Sequence, residues 1–117
     1  MHAVLSAPQP ITVINPQGYL NAATVEEFQI QLNEAFANPE LSAVLVDLGK
    51  VEFLDSAGLL TLVSTLKKAK SLNTRFSLCS VSSPIRMIFE LSQLDRVFEI
   101  FDNAADFETA IANHNRF

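Results

Sequence analysis

The chain has 117 residues, from which one domain is expected and no room for a second. Hydrophobic residues make up 49% and charged residues 18%, enough apolar content to build a core and too much for a disordered segment. The net charge of -5 disfavours docking on nucleic acid phosphates or anionic lipid, both of which call for a basic surface.

Cysteine and histidine are scarce. The single cysteine, Cys79, excludes an internal disulfide and any zinc site built on several thiolates. His2 and His114 lie near opposite ends of the chain, a poor arrangement for a metal cluster or a catalytic dyad. The first residues have no Lys or Arg before their short apolar run, so they do not read as a signal peptide. No apolar run approaches the ~18 residues of a membrane span. These features lead to the expectation of a cytoplasmic protein that needs no cofactor and does not insert into membrane.

Residues 1–10 read as a short N-terminal strand or arm, and residues 11–117 as the single domain. Ile11-Thr12-Val13-Ile14 is rich in β-branched residues and reads as a strand. Asn15-Pro16-Gln17-Gly18 breaks it, and Tyr19-Leu20 resumes the extended chain. Pro16 has no amide to give a ladder, which places this strand at an edge or interrupts it.

Over residues 24–37, Val25, Phe28, Leu32, Ala35 and Phe36 recur at helical spacing. Thr24 is expected to cap this helix, with Glu27 completing a capping box, and Asn38-Pro39 ends it. Residues 42–48 form a nearly continuous apolar run, the pattern of a central strand covered on both faces. Residues 51–54 follow as a short extended piece. A second helix is expected over residues 57–71, with Leu59, Leu62, Val63, Leu66 and Ala69 inward. Lys67, Lys68 and Lys70 fall near its end. There they complement the helix dipole, or alternatively meet an acidic partner.

Residues 74–81 read as a strand with Phe76 and Leu78 on one face. Ser83 as cap and Pro84 at the first position start a helix whose Ile85, Ile88 and Phe89 face inward. Residues 97–101 form another strand. Asp102-Asn103 then opens a last helix carrying Phe107, Ala110 and Ile111. The alternation predicts an α/β fold: a mixed, mostly parallel sheet of four to five strands flanked by about four helices.

The most informative stretch is Leu54-Asp55-Ser56-Ala57-Gly58-Leu59. It joins an extended piece to a helix, at the edge of an α/β sheet where ligands and partners bind. Ser56 falls where its hydroxyl can cap the helix, and a capping hydroxyl at a loop edge is also open to a kinase. Gly58, with no side chain, is expected to let another molecule approach the backbone. Leu60, Thr61 and Ser64 lie off the inner stripe of the same helix and are candidates for an outer face. Leu60 either anchors a partner there or packs under a neighbouring loop.

The run Val46-Asp47-Leu48, then Val51-Glu52-Phe53-Leu54-Asp55-Ser56-Ala57-Gly58-Leu59, closely resembles the signature of STAS domains. It is most similar to the single-domain bacterial anti-sigma factor antagonists. Gly18-Tyr19-Leu20 before a Thr-started helix, Cys79-Ser80-Val81-Ser82-Ser83-Pro84, Ile88-Phe89-Glu90-Leu91-Ser92 and Val97-Phe98-Glu99-Ile100-Phe101 extend the likeness over residues 11–112. The resemblance implies a partner-binding switch in transcription regulation and not an enzyme. It implies phosphorylation at Ser56 by a serine kinase that is also the anti-sigma factor, and reversal by a serine phosphatase. It further implies that the unmodified form binds the kinase. Asn21 stands where the family often carries an acid.

The expected partner surface comprises Asn21, Ala22, Asp55, Ser56, Ala57, Gly58, Leu60, Thr61 and Ser64, on a chain that is a monomer or weak dimer. An alternative is a scaffold or transporter-accessory subunit in which Ser56 is only a cap. A nucleotide-binding or enzymatic role has less support, because the chain has no Gly-rich phosphate loop ending in Lys-Ser or Lys-Thr and no convincing nucleophile–base pair. Cys79 is expected to be a small buried hydrophobe. Arg86 and Arg96 are expected to make surface pairs with Glu90, Asp95 or Glu99.

Overall fold

The computed structural model describes residues 10–114, apart from the side chain of His114. The strand or arm expected over residues 1–10 therefore lies outside the described residues except for Pro10. That residue's carbonyl accepts both the amide and the hydroxyl of Ser42, at 3.0 and 2.9 Å.

In chain order the elements are β1 (Ile11–Ile14), β2 (Gly18–Leu20), α1 (Val25–Phe36), β3 (Ala43–Asp47), β4 (Val51–Leu54), α2 (Ser56–Ser71), β5 (Arg75–Cys79), α3 (Ser83–Leu91), β6 (Glu99–Phe101) and α4 (Ala104–His114). Four strands form one sheet in the order β1-β3-β5-β6, and β2 and β4 form a separate two-stranded ribbon. Every pairing among the described residues is parallel. A parallel sheet needs helices on its faces, and the four helices supply them.

The alternation of β3 shows the layering. Val44 and Val46 face the larger core, which is filled by Phe28 and Leu32 of α1, Leu62 and Leu66 of α2, and Ile85 and Phe89 of α3. Ala43 and Leu45 face the opposite side, where Phe107 of α4 packs with Cys79. All four of these β3 residues are buried, as expected for a strand covered on both faces. Cys79 is fully buried too, and burial pushes its thiol pKa up, away from reactive thiolate.

The interruption after β1 falls at Pro16, which is buried, and β1 is the outer strand of the described sheet. Gly18 resumes the ribbon with a φ of 74°, a left-handed conformation natural to glycine, at a register shift between Gly18 and Tyr19.

Three local expectations are corrected. Thr24 precedes α1 but makes no side-chain bond to the helix amides, so there is no capping box with Glu27. Its hydroxyl is spent on the carbonyl of Tyr19 at 2.5 Å. The residue before α3 is Ser82, also without a side-chain cap bond, which makes Ser83 and not Pro84 the first helical residue. Glu99 pairs with Arg75 across β5 and β6 at 2.7 Å, and no ion pair to Arg86 or Arg96 occurs among the described residues. Strands β5 and β6 are neighbours, so residues 24 apart in sequence meet there.

Candidate functional site

The ribbon brings two distant loops together. Leu20 pairs with Leu54 in the parallel register, so the chain leaves both strands at the same edge. Asn21-Ala22 follows β2, and Asp55-Ser56 follows β4. The backbone amide of Asp55 donates to the carbonyl of Leu20 at 3.1 Å, closing the gap between them. The structure thus brings Asn21, Ala22, Asp55 and Ser56 together at one end of the ribbon.

Asn21 has a structural task. Its Oδ1 accepts the amides of Ala23 at 2.9 Å and Thr24 at 3.1 Å, and its carbonyl accepts Val25 at 2.8 Å. This Asx arrangement shapes the loop and starts α1. Asn21 is half-buried and Ala22 exposed.

At the second loop the expected cap is replaced by its neighbour. Asp55, not Ser56, is the N-cap of α2, its Oδ1 accepting the amides of Ala57 at 2.9 Å and Gly58 at 3.2 Å. Both residue types cap well, and local sequence alone does not choose between adjacent candidates. Asp55 has the extended backbone that a cap needs, while Ser56 is already helical. Ser56 is exposed, and its hydroxyl makes no hydrogen bond among the described residues.

Gly58 is corrected as well. It is buried, and a Cβ there would lie 2.7 Å from the carbonyl oxygen of Leu20 and 3.1 Å from the Cβ atoms of Leu20 and Leu54. The close approach that the glycine permits is made by the chain's own ribbon.

Thr61 does not belong to an outer face. It is buried, its hydroxyl donates to the carbonyl of Ala57 at 2.9 Å, and it accepts from Gln29 of α1 at 3.3 Å. Thr65 is buried in the same way, bonding the carbonyl of Thr61 at 2.7 Å. Helix α1 packs beside α2 and widens the covered face, and back-bonding to the preceding turn satisfies the threonine hydroxyls there.

Leu60 and Ser64 are exposed, and Ala57 is half-buried. Leu60 keeps 64% of its surface open, which decides against packing under a loop. The three lysines near the end of α2 are all exposed, and Lys68 reaches Asn33 at 3.4 Å and lies over the Phe36 ring.

Sequence reasoning missed the aromatic pair on the ribbon. Tyr19 and Phe53 are register partners with ring centroids 6.4 Å apart, both on the open side while Leu20 and Leu54 face the core. The signal was the alternation Tyr19-Leu20 and Phe53-Leu54, readable only once the two segments are known to pair. Among the described residues no group of three or more His, Cys, Asp or Glu is placed to hold a metal ion. No helix of the described residues is long and apolar enough to cross a membrane.

The fold is a parallel α/β domain, with its candidate site on two loops joined at the end of a ribbon. A family model for the STAS domain matches residues 2–107, and the chain belongs to that family. It is 30% identical over 118 residues to the anti-sigma-F factor antagonist RsfB of Mycobacterium tuberculosis (strain CDC 1551 / Oshkosh), spanning 92% of this chain and 94% of that protein. The crystal structure of an anti-sigma factor antagonist from Mycobacterium paratuberculosis matches with a TM-score of 0.79 and 25% identity, over 91% of this chain and 89% of that one. Structures of the Bacillus protein SpoIIAA share the fold. The unphosphorylated form has a TM-score of 0.68 at 16% identity, over 92% of this chain and 93% of that one. The phosphorylated form has a TM-score of 0.67 at 17% identity, over 89% and 94%.

Proposed function

We propose that this chain is a phosphorylation-switched regulator that acts by binding protein partners, as an anti-sigma factor antagonist. In this reading the unmodified form binds a serine-kinase anti-sigma factor, phosphorylation at Ser56 releases it, and a serine phosphatase restores binding. The role is one of binding and not of catalysis. The observation that carries the reading is the division of labour at the start of α2: Asp55 holds the helix, and the Ser56 hydroxyl is left exposed with no hydrogen-bond partner among the described residues. The names of the relatives support it, and so do SpoIIAA structures in two phosphorylation states that match this fold about equally.

The same geometry refines the physics of the switch. A phosphate brings about -1.5 to -2 charges at pH 7. A helix N-terminus ordinarily attracts such a group, and the neighbouring Asp55 carboxylate repels it. Here the amides of Ala57 and Gly58 already serve the Asp55 carboxylate, and that of Leu59 serves the Asp55 carbonyl. Of the first-turn amides only that of Ser56 has no acceptor among the described residues, so the modified serine keeps part of the helix's attraction and is repelled by Asp55. The fold loses little, because Ser56 faces solvent. A partner that covers Ser56 would bury an unpaired dianion, at a cost of several kcal/mol. Each ~1.4 kcal/mol is tenfold in affinity, so release follows from local charge without a backbone rearrangement.

Phosphopeptide mapping of the chain recovered from its native cells tests the reading. Phosphate on Ser56 is the expected result. Phosphate confined to other residues, under conditions that change partner binding, would overturn the assignment.

A further inference from the structure

A cleft of about 390 Å³ opens beside the paired loops, between the ribbon and α1. Leu20 and Phe28 are buried in it, while Tyr19, Glu27, Gln17 and Gln31 stand exposed around it. Glu27 is the one charged side chain that lines it and has no ion-pair partner among the described residues. The combination is an aromatic side chain, a carboxylate with no ion-pair partner among the described residues, two side-chain amides and an apolar floor. It suits a cation carried on an aliphatic stem, and a lone carboxylate repels anions.

The cleft is built into the same unit as the Ser56 loop. Tyr19 passes its carbonyl to Thr24 at 2.5 Å, and Leu20 passes its carbonyl to the amide of Asp55 at 3.1 Å. A protein seated over Ser56 is therefore beside the cleft as well. We propose that the cleft receives an arginine side chain projecting from that partner, a specificity contact that rests on the partner-binding reading of the Ser56 surface. The methylenes of the arginine cover Leu20 and Phe28, and its guanidinium plane lies on the Tyr19 ring. Its donors reach the Glu27 carboxylate and the amide oxygens of Gln17 and Gln31. Arginine fits better than lysine because several spread acceptors and a ring face match a planar fork and not a point charge.

The test uses the ¹⁵N-labelled full chain at low ionic strength, titrated with the blocked tripeptide acetyl-Gly-Arg-Gly-amide to about 50 mM, the range in which a single side chain binds detectably. Lysine and citrulline versions of the peptide serve as comparisons. The expected result is saturable amide shifts concentrated at Tyr19, Glu27 and Gln31, weaker with lysine and lost with citrulline. Glu27→Gln is expected to reduce the affinity at least about fivefold, as loss of a charge-assisted bond requires. Glu27 is exposed and has no described side-chain bond, so this variant should keep the wild-type spectrum elsewhere. Shifts scattered over the acidic surface, shifts unchanged by Glu27→Gln, or no shifts at all would overturn the proposal. The titration needs no partner protein, so failure of the cleft is read here, while failure of the Ser56 switch is read in the phosphopeptide mapping.

Discussion

Asp55 donates its backbone amide to the carbonyl oxygen of Leu20 across 3.1 Å, and through that bond the loop after β4 is fastened to the loop after β2. The carboxylate of the same residue closes the amino end of α2. Asp55 is thus the structural member of the Asp55-Ser56 pair. Asp55→Ala should destabilise the fold by about 1 kcal/mol, the usual value of a lost cap. Ser56→Ala should change stability by less than about 0.5 kcal/mol, as for an exposed side chain with no hydrogen bond among the described residues. Urea titrations of the two variants check this directly, and the reverse order would return the capping role to Ser56.

Gly58 seals the other side of that joint. Its missing Cβ leaves room for the Leu20 carbonyl, which would otherwise be met at 2.7 Å. The obstructing atom belongs to backbone held in the ribbon, so it has little freedom to yield. Gly58→Ala should cost about 1–3 kcal/mol in spite of alanine's better helix propensity, an overpacking penalty. A denaturation midpoint equal to or above wild type would contradict the packing described for α2 against β2 and β4.

The exposed Leu60 separates stability from binding. Leu60→Ala should leave the urea midpoint within about 0.5 kcal/mol of wild type, because the residue is already 64% exposed. If Leu60 anchors a partner, capture of that partner should weaken at least about tenfold, the scale of an interface hot spot. Quantitative pull-down beside a thermal melt measures both. Thr61→Ala should show the opposite pattern, losing stability through a buried hydroxyl bonded to Ala57 and Gln29.

Acid should weaken the sheet through Glu99. Its hydrogen bonds to Arg75, above all, and to Ser77 hold its carboxyl below the ordinary carboxylate range. The folded state therefore releases this proton more readily than the unfolded chain does. Its stabilising share is complete above the unfolded pKa of about 4.3 and is lost as pH falls through the lower folded value. The pair is partly open to solvent, so the effect is modest. Melting temperatures between neutral pH and pH 3 should fall less steeply for Glu99→Gln than for wild type. Equal slopes would show that the pair does not contribute.

Much of this molecule is legible from residue order because its main elements carry strong local periodicity. Strand β3 declares itself by an unbroken apolar run, and α1 by Val25, Phe28, Leu32 and Ala35. What stays hidden depends on neighbours distant in sequence. Pairing of β2 with β4 as a separate ribbon, the outward Tyr19 and Phe53, and the Arg75–Glu99 bond are set by register between segments far apart in the chain. Thr61 reads as an outer residue until α1 is placed against α2. The cap at Asp55 is hidden for a different reason: two adjacent residues share the chemistry, and only the backbone conformation separates them.

Affinity capture from native cell extract tests the central claim most directly, with wild type, Ser56→Ala and Ser56→Asp as parallel baits quantified by mass spectrometry. The account predicts that a kinase-like protein is held by wild type and Ser56→Ala and lost with Ser56→Asp, while all three baits melt within a few degrees of each other. Identical partner sets on all three would contradict it, reducing Ser56 to an exposed first residue of α2 and favouring a scaffold or transporter-accessory role for the domain.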